Sequence, residues 1–238
     1  MEILYTKPLM QAVVNDEYNA YAEVLPEAQR SLQLVRRENL STPGIPDSLM
    51  KRVFDVVFSL ILMLLGFPAF TLLYLITRLS SRGPAFYKQE RNGRNGKPFH
   101  IYKFRSMHVD AEQYGPMLSS ANDPRITRWG KIMRRSRLDE LPQFWNVLIG
   151  DMSIVGPRPE RQFFIDQIIS VKPQYSRLNR FRPGITSMGQ VHYGYAENVQ
   201  QMCERMDYDL KYLEEASMAT DLRLIVKTVG VMVQGKGK

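Results

Sequence analysis

The sequence predicts a mainly helical α/β fold: a re-entrant membrane helix hairpin, amphipathic helices at the membrane interface, and a small globular domain on the cytosolic side. Three observations predict it. Val53 to Thr77 is a run of 25 residues with one charge, Asp55, in a chain that is hydrophilic elsewhere. Basic residues flank that run on both sides, and Pro68 interrupts it. Downstream, short β-prone stretches and helical apolar periods alternate with turn residues.

The apolar run is long enough to span a bilayer, whose core needs about 20 apolar residues in a helix. Asp55, near its start, can pair with Arg52 at i,i+3 spacing. A buried core helix fits poorly, because nothing else in the chain is apolar enough to surround it. A simple span fits poorly too. Pro68 removes a hydrogen bond near the middle and bends a helix. Lys51 and Arg52 precede the run, while Arg78, Arg82 and Lys88 follow it. Positive charge favours the cytoplasmic side, so both ends prefer one side. Each piece beside Pro68, about 10–15 residues long, is too short to cross alone. A hairpin over residues 51–79 that enters, turns at Pro68 and returns satisfies these constraints. The expected location is the cytoplasmic face of the cell (inner) membrane, with monotopic topology.

Residues 1–50 read as an N-terminal extension of unknown role, ending in linker chemistry at Ser41-Thr42-Pro43-Gly44-Ile45-Pro46. The first residues lack the basic start, apolar stretch and small-residue site of a secretory signal, so export by that route is not expected. Residues 80–238 read as one compact domain. Between Tyr87 and Phe99, Asn92-Gly93 and Asn95-Gly96 mark turns between β-prone runs, which predicts a small hairpin. Tyr102 to Met107 alternates aromatic and basic residues, placing Lys103 and Arg105 on one face of a strand. Thr127–Arg137 reads as an amphipathic helix with Arg128, Lys131 and Arg135 on one face and Trp129, Ile132 and Met133 towards another, suited to an interface. Leu222, Ile225, Val226 and Val229 recur at helical spacing near the end, facing a core or a membrane surface.

Composition narrows the partners. With 32 Lys and Arg against 24 Asp and Glu, the net charge is +8 and the pI about 9.6, which favours phosphates, acidic lipids or nucleic acid. The single cysteine, Cys203, excludes an intrachain disulfide and reads as a helix filler. His100, His108 and His192 lack metal-ligand spacing, so zinc is not expected.

The densest chemistry lies between Arg134 and Asn146. Pro142 is acceptable in the first turn of a helix, so a helix should start between Asp139 and Leu141 and run to Gly150. Asp139 is then either an N-cap with Glu140 as a first-turn acid, or a reacting carboxylate. In the second case the helix N-terminus and the upstream Arg134, Arg135 and Arg137 should depress its pKa, keep it ionised as a nucleophile, and attract phosphate. Glu140 beside it offers an oxygen ligand to Mg²⁺, which takes one or two carboxylates plus substrate phosphates. Pro157-Arg158-Pro159 fixes one guanidinium on a stiff backbone, suited to a phosphate or nucleotide clamp, or is simply a rigid turn.

These motifs resemble the bacterial sugar transferase family, the small monotopic polyprenyl-phosphate phosphoglycosyl transferases. The resemblance runs from Lys51 to about Lys238 on KRVFDVVFSL, GPAFYKQERNGRNGKPFHIYKFRSM, NDPRITRWGKIMRRSRLDELPQFWNVLIGDMSIVGPRPE and FRPGIT, in the family's order. It implies a re-entrant helix broken at Pro68, Mg²⁺ as cofactor, and a ping-pong route on a cytosolic catalytic domain. Asp139 would attack a UDP-sugar and expel UMP, and polyprenyl (undecaprenyl) phosphate would take the phosphosugar from it. That would make the reaction the first membrane step of surface-glycan assembly. Glu140 would hold the metal. Lys103, Arg134 and Arg158 match basic positions for phosphate or nucleotide contacts, with Arg105 and Gln143 as weaker matches. Membrane lipids are implied partners, nucleic acid is not, and a homodimer is compatible with the resemblance. Two departures stand out. The family often has Ser-Pro at the break, where this chain has Phe67-Pro68. After Pro183-Gly184-Ile185-Thr186 many members continue in a Gly-Trp-Ala-Gln-Val-Asn-Gly-Arg-like run, where this chain reads Ser187 to Tyr195, which leaves the sugar and acceptor preferences open. Unlike in larger relatives, a block of further spanning helices before Lys51 is not expected. The competing expectation is a non-catalytic, membrane-anchored scaffold binding anionic lipid or nucleic acid through the Arg125–Arg137 basic helix.

Overall fold

A computed structural model describes residues 48–235 apart from 114, 121 and 122. The extension expected over residues 1–50 therefore lies almost wholly outside the described residues. Helix α1 covers Leu49–Ser80, 32 residues, and begins where the Ser48 side chain accepts a hydrogen bond from Lys51 N. It is the one helix, among the described residues, long and apolar enough to cross a membrane by length and composition. Helical assignment continues through Pro68, so the expected turn there is not a break between two helices.

The helix is fully buried only towards its two ends. Lys51, Asp55 and Ser59 are buried near the start, Leu73 and Thr77 near the end, each set at i,i+4 spacing. Between them Leu60, Ile61, Leu64, Leu65, Phe67 and Leu72 are exposed. At the start, Asp55 accepts from Ser153 Oγ (2.7 Å) and Ile154 N (3.2 Å), and Lys51 pairs with Asp221. Arg52 instead donates to the carbonyls of Val147 (2.6 Å) and Leu148 (3.0 Å). The expected Arg52–Asp55 pair is thus replaced: both groups are drawn into the globular domain, where buried carbonyls and hydroxyls need partners. At the far end Trp129 Nε1 donates to Thr77 Oγ1 (3.0 Å), and Phe70 rests against Phe104.

The expected hairpin is present as β1 (Phe86–Asn92) and β2 (Pro98–Phe104), antiparallel, with Asn92 opposite Pro98 and Tyr87 opposite Lys103. Its turn uses the left-handed backbone at Asn95 (φ 59°) and Gly96 (φ 70°). Arg105 falls just past the strand. Helix α2 (Arg128–Arg135) follows a loop and is capped by Thr127. Its Trp129 and Met133 pack towards α1. Ile132 is exposed beside Arg128, Lys131 and Arg135 rather than with the apolar pair. Gly130 lets α2 press on the Ser106 carbonyl, with which any Cβ would collide.

A 3-10 turn at Leu138–Glu140 leads into α3 (Gln143–Ile149), which ends on Gly150 in the left-handed region (φ 100°). Strand β3 (Ser153–Val155) pairs in parallel with β4 (Gly184–Thr186), joining two stretches far apart in the sequence. Gly156 and Gly184 permit this: a Cβ on Gly156 would lie 3.0 Å from Gly184 N, and the reverse substitution is tighter still. Helix α4 (Gln162–Val171) and a 3-10 segment (Pro173–Arg180) connect them. Helices α5 (Met188–His192), α6 (Val199–Glu215) and α7 (Met218–Val233) complete the chain. Of the C-terminal stripe, Leu222, Val226 and Val229 are exposed and continue to Val233, while Asp221 and Leu224 face inward.

The main core gathers Ile101, Phe144, Val147, Ile154, Phe164, Ile165, Ile168, Met206 and Leu213. A smaller one gathers Leu73, Phe104 and Met133. Leu141 touches both, so the turn carrying Asp139 and Glu140 is wedged between two apolar clusters. That wedge fixes the turn's position.

Candidate active site

Asp139 and Glu140 are both buried, at 6% and 4% exposure. They sit in the 3-10 turn, not at the N-cap of the following helix, whose cap position is Pro142. The residue before the turn, Arg137, is one of two non-glycine residues in the left-handed region (φ 53°) among the described residues. Such a backbone costs a non-glycine residue about 1–2 kcal/mol, and here it turns a guanidinium towards Glu140.

Three cations face Glu140. Lys103 Nζ lies 2.8 Å from Oε1, Arg158 Nη2 3.6 Å from Oε1, and Arg137 Nη1 3.9 Å from Oε2. Each is held from behind. Asn146, fully buried, accepts from Tyr102 N (3.1 Å) and donates to His100 O (2.7 Å), clamping β2 to α3 and so Lys103 to Glu140. Arg158 N donates to Asp209 Oδ2 (3.3 Å), while Asp209 Oδ1 accepts from Gly189 N (2.8 Å). The Tyr195 ring carries the Arg137 guanidinium 5.6 Å from its centroid. Behind the Pro157-Arg158-Pro159 turn, Glu160 joins Arg91 (3.3 Å) and Arg205 (2.5 Å) in a buried network.

The two carboxylates diverge electrostatically. Burial and the neighbouring Glu140 charge push Asp139 above its ordinary value, against Lys103 and Arg134. Burial would raise Glu140 too, but Lys103, Arg158 and Arg137 outweigh it and hold Glu140 low. The depressed carboxylate is therefore Glu140, and the expectation of a depressed Asp139 is corrected. The cations surround Glu140 more closely, and Asp139 feels Glu140's charge at close range. Lys103 is lowered by burial, with Glu140 opposing. Glu140 and Glu160 outweigh burial to hold Arg158 high.

Asp139 opens onto a cavity of about 510 Å³. Lys103, Arg105, Arg134 and Arg158 line it, so four of the expected basic residues converge on one space. Arg134 Nη1 also donates to Ser119 Oγ (3.1 Å), tying the loop before α2 to the site. Arg105 is turned aside: Nη2 donates to Ser81 O (2.7 Å) and Oγ (2.9 Å), at the end of α1. Gln143 is buried in α3 and does not line the cavity. Pro68 lies mid-way along α1, outside it. Sequence reasoning passed over Arg137's role, Tyr195, Glu160, Arg91, Arg205 and Asp209. A signal existed for Asp209, an acid at i+7 from Met202 and i+3 from Met206 on the buried stripe of α6.

No group of three or more His, Cys, Asp or Glu able to hold a metal occurs among the described residues. The donor set therefore does not fit a cation caged by protein. It does fit one that takes one or two carboxylates and completes its shell with phosphate and water, since Asp139 makes no ion pair among the described residues and faces the cavity.

Residues 46–235 match the family model described as bacterial sugar transferase. The chain belongs to the bacterial sugar transferase family. A protein of Aeromonas hydrophila named UDP-N-acetylgalactosamine-undecaprenyl-phosphate N-acetylgalactosaminephosphotransferase is 38% identical over 188 residues, which cover 79% of this chain and 44% of that one. Two proteins named UDP-glucose:undecaprenyl-phosphate glucose-1-phosphate transferase are similar too. The Escherichia coli protein is 39% identical over 76% of this chain and 39% of its own length. The Caulobacter vibrioides protein is 40% identical over 79% of this chain and 71% of its own. The chain thus spans less than half the length of the first two relatives.

Proposed function

We propose that this family member transfers a phosphosugar from a UDP-sugar to polyprenyl (undecaprenyl) phosphate at the cytoplasmic face of the cell membrane. The observation that carries the reading is the pairing of a cavity-facing carboxylate, Asp139, with a ring of cations that exceeds what Glu140 needs. A diphosphate brings the missing negative charge. Lys103, Arg158 and Arg134 hold the donor's phosphate oxygens and stabilise the charge that builds as the bond breaks. An Asp139 carboxylate oxygen forms a bond to the β-phosphorus, the bond from that phosphorus to the bridging oxygen breaks, and UMP departs with the electron pair. An oxygen of the lipid phosphate then attacks the aspartyl-phosphosugar, freeing Asp139 and giving the polyprenyl diphosphate sugar. Asp139, with Glu140 beside it in the turn, would hold Mg²⁺, which would supply further neutralisation of phosphate charge. Asp139, raised by burial, must be ionised to attack, and a bound divalent cation would favour that ionised form.

The reading includes a re-entrant α1 kinked at Pro68. A straight helix would carry Thr77 about 33 Å from Asp55 at 1.5 Å per residue, about the thickness of a bilayer core. Yet both residues bond to the same globular domain, through Trp129 and Ser153, and both ends carry basic residues. The exposed apolar stripe of α7 and the basic face of α2 fit the membrane interface beside it. The scaffold alternative explains the basic face of α2 and leaves the buried dyad without a role.

The test is UMP release by purified protein with a panel of UDP-sugars, Mg²⁺ and polyprenyl phosphate. Asp139→Asn is expected to lower the rate by at least about 10⁴-fold, and intact-protein mass spectrometry of the wild type with donor alone to find the phosphosugar adduct. A variant with near-wild-type turnover ends the assignment. For topology, single cysteines at Met50 and Arg82 in a Cys203→Ser background should both react with an impermeant maleimide from the cytoplasmic side. Protection of either one removes the re-entrant hairpin.

A further inference from the structure

Resting on the proposed donor reaction, we infer that Tyr87, Gln89, Glu112 and Arg161 form the part of the cavity that reads the ring hydroxyls of the donor sugar. All four line the same space as Asp139. Tyr87 stands opposite Lys103 in the hairpin register, where facing side chains start about 4.5–5.5 Å apart, and Lys103 touches Glu140. The cluster is therefore one cross-strand step from the dyad. In a UDP-sugar the ring hangs from the attacked phosphorus through a single ester oxygen, whereas the uridine lies beyond the second phosphate. The ring must sit next to the dyad.

The chemistry of the cluster selects the same part of the donor. Glu112 Oε2 accepts from Tyr87 OH (3.1 Å), and Oε1 accepts from Arg161 Nη1 (2.6 Å) and Gln89 Nε2 (3.4 Å). Gln89 Oε1 in turn accepts from Arg91 Nη2 (2.6 Å), so the group is oriented before any ligand arrives. A carboxylate repels a diphosphate but retains lone pairs for hydroxyl donors; a sugar hydroxyl can also donate to the Tyr87 oxygen and accept from the remaining N–H groups of Arg161. Arg161 neutralises Glu112, which makes an acid tolerable in a cavity built for anions.

The experiment compares equilibrium binding of a UDP-hexose and of UDP, together with UMP release, for the full chain in nanodiscs as wild type, Glu112→Ala and Glu112→Gln. Loss of a hydrogen bond to a charged group should weaken UDP-hexose binding by about 10- to 100-fold in Glu112→Ala. UDP, which has no hexose ring, should bind within about twofold of wild type. Discrimination between UDP-hexoses epimeric at one hydroxyl should narrow in both variants, with unchanged unfolding midpoints. Equal weakening of UDP would assign the cluster to the nucleotide and overturn the inference, as would unchanged binding of both ligands. A wild type that binds UDP-hexose more tightly than UDP yet releases no UMP would end the proposed reaction while the binding comparison still judges the subsite. A wild type that binds neither ends both.

Discussion

Two buried ionic clusters, one at the start of α1 and one at the dyad, use the same residue types to opposite ends. Under α1 every carboxylate oxygen is matched: Asp55 by Ser153 and Ile154, Asp221 by Lys51 and by Tyr212 OH at 2.7 Å. Around Glu140 three cations crowd one carboxylate at 2.8, 3.6 and 3.9 Å, and Arg137 keeps two buried N–H groups, Nε and Nη1, without hydrogen-bond partners. A closed account of charge marks an anchor. An open one, with positive charge in surplus beside a cavity, marks a place where an anion belongs.

The contrast can be broken at its strongest point by Asp221→Ala, which strands Lys51 in the interior. Removing one partner of a buried pair costs about 3–5 kcal/mol, and thermal unfolding should fall by roughly 10 °C at about 2–4 °C per kcal/mol for a protein of this size. Lys51→Met with Asp221→Leu should recover most of it. At the dyad the same logic reverses: Arg158→Lys should leave the unfolding midpoint within about 1 °C but reduce UMP release by about 10- to 100-fold, because its planar fork is spent on the ligand. Stability loss comparable to that of Asp221→Ala would make Arg158 another anchor.

The divergence within the dyad can be sharpened by infrared titration of the protonated carboxyl band in chelator-treated protein. The Asp139 midpoint should lie above 3.8 and move down in Glu140→Gln, which removes a charge that raises it. The signs for stability are opposite. Asp139, raised on folding, costs stability as pH climbs from 3.8 through its folded value. Glu140, depressed on folding, contributes stability that is present above 4.5 and lost as pH falls below it. The smallest effect belongs to a third kind of pair: Lys211 and Glu215, 3.5 Å apart on the exposed face of α6, where Glu215→Gln should change unfolding by less than about 0.5 kcal/mol.

How much of this was legible in the sequence follows from where each signal lives. The long apolar helix, the hairpin turn and the Asp139-Glu140 dyad were readable because composition, Asn-Gly turns and motif density are local, whereas Lys103, Arg134 and Arg158 were placed together by the family resemblance. The 3-10 turn at Leu138–Glu140 was not, since Pro142 is equally acceptable in an ordinary first turn, and the choice falls to Leu138 packing on the smaller cluster while Leu141 bridges both. The Asp139 pKa was misjudged because counting nearby arginines ignores which carboxylate they touch. Arg91, Glu160 and Arg205 meet from three parts of the chain, and nothing periodic encodes such a meeting. Asp55 was misassigned to Arg52 because the helix rule sees neighbours on one helix and not Ser153, 98 positions away.

The double fastening of α1 has a mechanical consequence. With both ends tied to one body there is no slack in the tether, so the cavity would ride at a set height over any bilayer that receives the exposed middle of α1. Under the proposed reaction a lipid acceptor would have to deliver its phosphate to that level, which would make bilayer thickness a control on the second half of that reaction and not on the first.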